Sequence, residues 1–170
     1  EQQQAIAQVK HYKELTEKEP DDSEAWYGLG QALVAVGQFD FAMISFDQVI
    51  RIEEESADIL GVKAQAAYYK NDGKIDETVQ ALIDKALALD PLDPATNILL
   101  GMNNFRASNY SEAIIYWQTV VDSGRPNVNI SSLNEAITEA KERLALAHSN
   151  AKTNDREINR DVKAIRPQLT

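Results

Sequence analysis

Side chains that could carry out chemistry are scarce in this sequence of 170 residues. It contains no Cys, which excludes thiol nucleophiles, thiolate metal sites and disulfides. The two histidines, His11 and His148, are far apart, and neither has a partner at the spacing of a metal site or a catalytic dyad. The motifs of nucleotide-binding proteins, zinc proteases and serine hydrolases do not occur. The sequence therefore predicts a protein that is not an enzyme, with no catalytic residue, no metal site and no cofactor.

One stretch, NDGKID at residues 71–76, is similar to a calcium loop. Placing Gly73 at the sixth position of such a loop puts Tyr68, Lys70 and Val79 at the first, third and twelfth positions. A calcium loop has carboxylates at those positions. None of the three side chains is a carboxylate, so the stretch is predicted to be a turn that accommodates an insertion.

The charge of the chain is uneven along its length. The net charge of −10 argues against a nucleic-acid partner, because binding to phosphates needs clustered Lys and Arg. Residues 1–140 hold 10 basic and 23 acidic side chains, whereas residues 141–170 hold 7 basic and 4 acidic ones. The end of the chain, residues 151–170, is interpreted as a loose, solvated basic tail. The alternative is a tail that contacts an acidic partner or anionic lipid headgroups.

No run of about 18 apolar residues occurs, so the sequence itself predicts no transmembrane helix. The chain begins at Glu1 without a Met, and we expect a signal or membrane anchor upstream of it.

An internal repeat organises the sequence. Three pairs of residues recur at an offset of 71: Gly30 and Gly101, Ala42 and Ala113, Phe46 and Trp117. This offset equals one tetratricopeptide repeat (TPR) of 34 residues and one of 37, and WYGLG at residues 26–30 matches the W-x2-L-G pattern of such repeats. The sequence predicts an all-α TPR solenoid of three helix hairpins, at residues 23–56, 57–93 and 94–127. An N-terminal flanking helix (1–22) and a C-terminal capping helix (128–150), with Ser131 or Ser132 as its N-cap, complete the array.

The repeat residues have a physical reason. The two helices of a hairpin cross closely, so small residues such as Gly30 and Ala42 are needed at the crossing. The larger Trp26, Leu33 and Phe46 fill the space beside it. The third repeat keeps Gly101 but has Asn97 and Asn104 where aromatic residues are usual.

The first helix of each hairpin is expected to line a concave groove that binds a partner. Its predicted residues are Tyr27, Gln31, Val34, Gln65, Tyr68, Tyr69, Ile98, Met102, Phe105 and Arg106. The Lys, Asn and Arg residues with which some TPR domains hold a C-terminal carboxylate are missing. The mixture of apolar and polar side chains instead favours the apolar face of an amphipathic helix. The alternative interpretation is that several of these aromatic residues form the core of the repeats.

Several segments are more specific than a general TPR: LIDKALALDP at residues 82–91, LLG at 99–101, NY at 109–110, AI at 113–114 and Trp117. Together with AI at 136–137 and EAK at 139–141, they resemble the periplasmic TPR domain of c-type cytochrome maturation proteins. This family, the CcmI/CycH/NrfG group, comprises subunits or partners of the haem lyase. The resemblance covers roughly residues 20–146.

The resemblance implies a bacterial periplasmic module tethered to the inner membrane by an N-terminal segment. Members of the family present the C-terminal helix of an apocytochrome c, or of a c-type nitrite reductase, to the haem lyase subunits, which carry out the haem chemistry. Two other functions fit a TPR array. One is a scaffold of an envelope assembly or secretion complex, and the other is a regulatory domain of a larger enzyme.

Overall fold

The computed structural model describes residues 1–165, which form helices and turns only. The helices are α1 (Gln2–Lys18), α2 (Ser23–Ala35), α3 (Phe39–Glu53), α4 (Ala57–Lys70), α5 (Glu77–Leu89), α6 (Pro94–Arg106), α7 (Tyr110–Ser123) and α8 (Ile130–Ile165). Helix α2 pairs with α3, α4 with α5 and α6 with α7, while α1 packs against α2 and α8 against α7. The prediction of an all-α TPR solenoid of three helix hairpins with flanking helices is confirmed.

Glycines allow an aromatic side chain to reach across the first and the third hairpin. The ring of Phe46 is fully buried, and a Cβ atom added to Gly30 would overlap it. Trp117 lies in the same way against Gly101 in the third hairpin. The ring of Tyr12 lies against Gly28, so the same device holds α1 on α2.

Asn97 replaces an aromatic residue at the position where the first repeat has Trp26. The indole nitrogen of Trp26 donates to the carbonyl of Pro20 at 2.7 Å. The Asn97 amide donates to the carbonyl of Pro91 at 3.1 Å, which is the equivalent bond one offset of 71 residues further along the chain. The unusual residue therefore keeps the hydrogen bond that ties the preceding connection to α6.

A short polar side chain begins the first helix of every hairpin. Asp22, Ser56 and Asp93 accept hydrogen bonds from backbone N–H groups in the first turns of α2, α4 and α6. Such N-caps satisfy backbone donors that have no partner within the helix. The first turns of these three helices line one cavity, so their polar ends lie side by side.

The C-terminal helix differs from its prediction in two respects. Its N-cap is Asn129, whose side chain accepts from the backbone of Ser132 at 3.1 Å, and the prediction of Ser131 or Ser132 is wrong. The helix also continues to Ile165, so the prediction of a loose tail is wrong for residues 151–165. Residues 130–165 contain neither Gly nor Pro, and nothing in the sequence ends the helix there. The remainder of the predicted tail, 166–170, lies outside the described residues.

Candidate partner-binding groove

A concave groove runs across α2, α4 and α6 and is closed at one end by the segment 125–129 between α7 and α8. Its volume is about 890 Å³. It contains four of the predicted residues, Tyr27, Gln31, Gln65 and Ile98. Its other lining residues include Glu24, Glu53, Asp58, Ile59, Val62, Asp90, Asp93, Ala95, Arg125 and Val128. We call the surface formed by these residues the concave groove.

Hydrogen bonds hold the polar residues of the groove in position. Gln31 donates to the hydroxyl of Tyr27 at 3.1 Å, one turn earlier on α2. Gln65 donates to the carbonyl of Ala95 at 2.8 Å and so joins α4 to α6. Burial, followed by the charge of Asp58, raises the pKa of Tyr27 above its ordinary value of 10.0. These side chains form a positioned polar frame around the apolar floor.

Tyr68 is fully buried, and its prediction as a groove residue is wrong. Helix α4 packs against α3, α5 and α6, so fewer of its faces reach solvent than those of a helix at the end of the array. The Tyr68 ring belongs to the core between α4, α5 and α6, and its hydroxyl donates to Asn103 at 3.4 Å. For this residue the alternative interpretation, repeat core, is the correct one.

Val34, Tyr69 and Met102 are partly buried but lie outside the cavity that defines the groove. Val34 packs against the core between α2, α3 and α4. The Tyr69 ring stacks on Phe39 at 5.5 Å between ring centres, and its hydroxyl contacts the sulfur of Met102 at 3.6 Å. A partner contact with any of the three stays a prediction.

Phe105 and Arg106 are engaged at the far end of α6. The guanidinium of Arg143, on α8, lies 5.0 Å above the centre of the Phe105 ring. The guanidinium of Arg106 lies 5.9 Å from the centre of the Tyr68 ring and against the backbone of Gly73. Both side chains stabilise the fold through these contacts, and a role in partner binding stays a prediction.

The sequence analysis missed the acidic character of the groove. Glu24, Asp58 and Asp93 stand in or before the first turns of α2, α4 and α6, far apart in sequence. A signal was available: the same turn of each repeat carries an acid, and repeats stack these turns side by side. Partial burial raises the pKa of Asp58, and burial raises that of Asp93 although Thr96 donates two hydrogen bonds to its carboxylate.

Arg125 is the basic residue among the groove-lining residues, and it is engaged by an acid. Its guanidinium donates to both carboxylate oxygens of Asp90, and the bond from Nη2 to Oδ1 is 3.0 Å long. These hydrogen bonds lower the pKa of Asp90. The pair joins the connection before α6 to the segment before α8, and its charges offset each other. Of the other acids, Glu24 and Asp58 are exposed and have no basic partner in the groove lining, whereas Asp93 is buried. The exposed surface of the groove therefore carries net negative charge.

Replacing Asp93 by Asn is expected to leave the fold at least as stable at neutral pH, whereas Asp93→Ala should cost about 1 kcal/mol. Asn keeps the N-cap of α6 and removes a charge that burial disfavours. Because the folded-state pKa is raised, ionised Asp93 opposes folding above that pKa, and the cost disappears below the unfolded value of 3.8. The advantage of Asp93→Asn over the wild type should therefore vanish as the pH falls to that value.

Urea unfolding of the three proteins at neutral pH and at about pH 3.5 measures this. If Asp93→Asn and Asp93→Ala were equally destabilising at neutral pH, Asp93 would stabilise the fold through its charge and not through its N-cap hydrogen bonds.

Within residues 1–165, no helix has the length and apolar character needed to cross a membrane. The same part of the chain contains no cluster of three or more His, Cys, Asp or Glu residues arranged to hold a metal ion.

Solved structures with this arrangement of helices are TPR proteins. The structure of MamA superimposes with a TM-score of 0.52 at 15% identity and covers 87% of this chain and 89% of its own. The first TPR of Spaghetti (RPAP3), bound to an HSP90 peptide, superimposes with a TM-score of 0.52 at 15% identity, covering 72% of this chain and 93% of its own. At such identities the likeness concerns the fold alone.

Sequence comparison is more specific. Residues 13–130 match the family model of the cytochrome c-type biogenesis protein H TPR domain. The formate-dependent nitrite reductase complex subunit NrfG of Escherichia coli O157:H7 is 31% identical over 82% of this chain and 71% of its own length. The cytochrome c-type biogenesis protein CycH of Pseudomonas aeruginosa is 31% identical over 76% of this chain but only 32% of its own length. The chain therefore belongs to the TPR domain family of the cytochrome c-type biogenesis proteins, the CcmI/CycH/NrfG group.

Proposed function

We propose that this chain binds an amphipathic helical segment of another protein along the concave groove. The observation that carries this proposal is the groove itself. The partly exposed apolar side chains of Tyr27, Ala95 and Ile98 lie between the fixed amides of Gln31 and Gln65. An amphipathic helix buries its apolar side chains in a surface of this kind, while its polar flanks bond to the rim.

The proposed segment is the C-terminal helix of an apocytochrome c or of a c-type nitrite reductase. The support is membership of a cytochrome c-type biogenesis family, and the similarity to a subunit of a nitrite reductase complex. In this proposal the chain delivers the segment to haem lyase subunits, which attach the haem. The chain itself is a binding module that needs no cofactor and catalyses no step.

The proposed location is the bacterial periplasm, at the outer surface of the inner membrane. A role in the attachment of haem to c-type cytochromes would place the chain there. An N-terminal segment outside the sequence described would hold it at the membrane. The chain spans about a third of the length of its CycH relative, so the activities of such a longer protein come to this chain only as proposals.

Calorimetric titration with peptides from the C-terminal helices of c-type cytochromes tests the proposal. We expect saturable binding, and we expect Ile98→Glu to weaken it at least about tenfold. The substitution removes an apolar contact and adds a negative charge to a groove whose lining already includes Glu24 and Asp58. The matched control is Ile115→Glu on α7, where the side chain is 63% exposed and outside the groove. That variant should bind like the wild type.

Two results would contradict the proposal. If no peptide from a c-type cytochrome bound, the partner would be wrong. If Ile98→Glu bound as tightly as Ile115→Glu, the concave groove would not be the site. Helical content of both variants, measured by circular dichroism, distinguishes a loss of binding from a loss of fold.

A scaffold in an envelope assembly or secretion complex is the second candidate. The observation that favours it is on α3, where Phe41 and Ile44 are 59% and 54% exposed and lie one turn apart. Together they form a small apolar patch outside the concave groove, which a second partner could cover. If cytochrome peptides fail to bind, capture of a folded partner that Phe41→Glu abolishes would support the scaffold.

A further inference from the structure

Helix α8 continues well beyond the hairpins that it caps. Its buried residues, Leu133, Ile137 and Ala140, all lie in its first half, and every residue from Ala145 to Ile165 is exposed. We call residues 145–165 the α8 extension. At a rise of 1.5 Å per residue, the extension projects about 30 Å from the array. Because its side chains are exposed throughout, packing against the described part of the chain does not stabilise it.

One face of the α8 extension is apolar. Ala151, Ile158, Val162 and Ile165 follow Leu144 at helical spacing, with Asp155 as a polar interruption. This face continues the line of the core residues Leu133, Ile137 and Ala140. The side chains of Ile158, Val162 and Ile165 are 60%, 49% and 56% exposed. An apolar stripe at core spacing without a core indicates a surface that a partner covers.

A second face of the extension is basic. Lys152, Arg156, Arg160 and Lys163 are separated by four, four and three residues, so they lie along one side of the helix. Glu157 and Asp161 lie on the other flank. The extension is thus an amphipathic helix with a row of four cations beside its apolar stripe.

The concave groove has the complementary surface. Its floor is apolar at Ile98 and Tyr27, and its exposed acids Glu24 and Asp58 have no basic residue of the groove paired with them, since Arg125 is bonded to Asp90. The extension cannot reach the groove of its own chain, because α8 is unbroken from Ile130 to Ile165 and contains no Gly or Pro at which it could fold back. A groove of a second copy is accessible to it.

We infer that the α8 extension of one copy docks into the concave groove of a second copy. This inference rests on the proposed function, in which the groove receives an amphipathic helix. The apolar stripe covers the groove floor, and the cations approach its acids. Self-association and partner binding then exclude each other, so the groove of a concentrated sample is occupied and its apparent affinity for a partner helix falls.

Sedimentation equilibrium of the full chain at rising concentration tests this inference. The wild type should associate, more weakly at high salt because exposed charges contribute. Val162→Glu, on the stripe, and Ile98→Glu, in the groove, should each raise the dissociation constant of the complex at least about tenfold. Leu146→Glu is the matched control: its side chain is 62% exposed, but it lies off the stripe, and association should be unchanged.

Mixing the two defective variants is the decisive measurement. The Ile98→Glu copy keeps an intact extension and the Val162→Glu copy keeps an intact groove, so the mixture should form a 1:1 heterodimer. If Ile98→Glu alone still self-associated, the extensions would pair with each other and the inference would be overturned. A mixture that remained monomeric while the wild type associates would overturn it too. A wild type that stays monomeric at all concentrations overturns it as well. Titrating monomeric Val162→Glu with a cytochrome peptide tests the proposed function separately, because its groove is intact and unoccupied.

Discussion

Replacing Gly30 by Leu is expected to lower the free energy of unfolding by about 1–3 kcal/mol or more. The position is completely enclosed, and even a single added Cβ atom would overlap the ring of Phe46. That ring is fully buried, so it cannot move aside without opening the crossing of α2 and α3. Urea unfolding followed by circular dichroism measures the loss, and Gly30→Ala gives a smaller step if the leucine variant does not fold.

Combining Gly30→Leu with Phe46→Ala tests whether the loss of stability comes from overlap between the leucine side chain and the Phe46 ring. Phe46→Ala alone should cost about 3–5 kcal/mol because it leaves a cavity in the core. In the double variant the leucine side chain occupies part of that cavity, so the two losses should be strongly non-additive. Additive losses would mean that Gly30 and Phe46 do not share the space at the crossing.

Ending the chain at Asn129 should destabilise it by about 3–6 kcal/mol, whereas ending it at Ser149 should change stability by no more than about 0.5 kcal/mol. The first truncation removes Leu133 and Ile137, which are 7% and 4% exposed and cover Trp117. Among the described residues, the second removes only exposed ones. Urea unfolding of both truncated chains beside the full one, at a concentration low enough for all three to be monomeric, provides the comparison. Equal losses in the two would mean that the extension packs against the array and is not free.

The repeat could be predicted because its determinants are close in sequence. Gly30 and Phe46 belong to one hairpin, and the same pair returns as Gly101 and Trp117. In the sequence, Asn97 in the third repeat looks like a loss of the aromatic residue that Trp26 provides in the first repeat. The structure shows that Asn97 nevertheless keeps the hydrogen bond to the preceding connection. A repeat pattern compares residue types only, so it does not show that the smaller Asn97 side chain makes the same hydrogen bond as the Trp26 indole.

The length of α8 was underestimated for a different reason. The prediction required an apolar stripe packed on the array, and it ended the helix where the stripe became sparse, near Asn150. The backbone continues because residues up to Ile165 are compatible with a helix and none interrupts it. The last buried residue of α8 is Ala140, whereas the helix itself continues to Ile165.

The fold class, the family and the residues at the hairpin crossings could all be read from the chain, because they depend on local spacing that recurs along it. Which side of each helix is exposed became known only from the packing of the hairpins. Tyr68 and Tyr69 are neighbours, but a turn of about 100° per residue buries the first completely and leaves the second partly exposed. The acids of the groove, Glu24, Asp58 and Asp93, are brought together only by the stacking of three hairpins. Their proximity depends on packing between distant segments; the sequence around any one acid does not record it, and only the alignment of the three repeats indicates it.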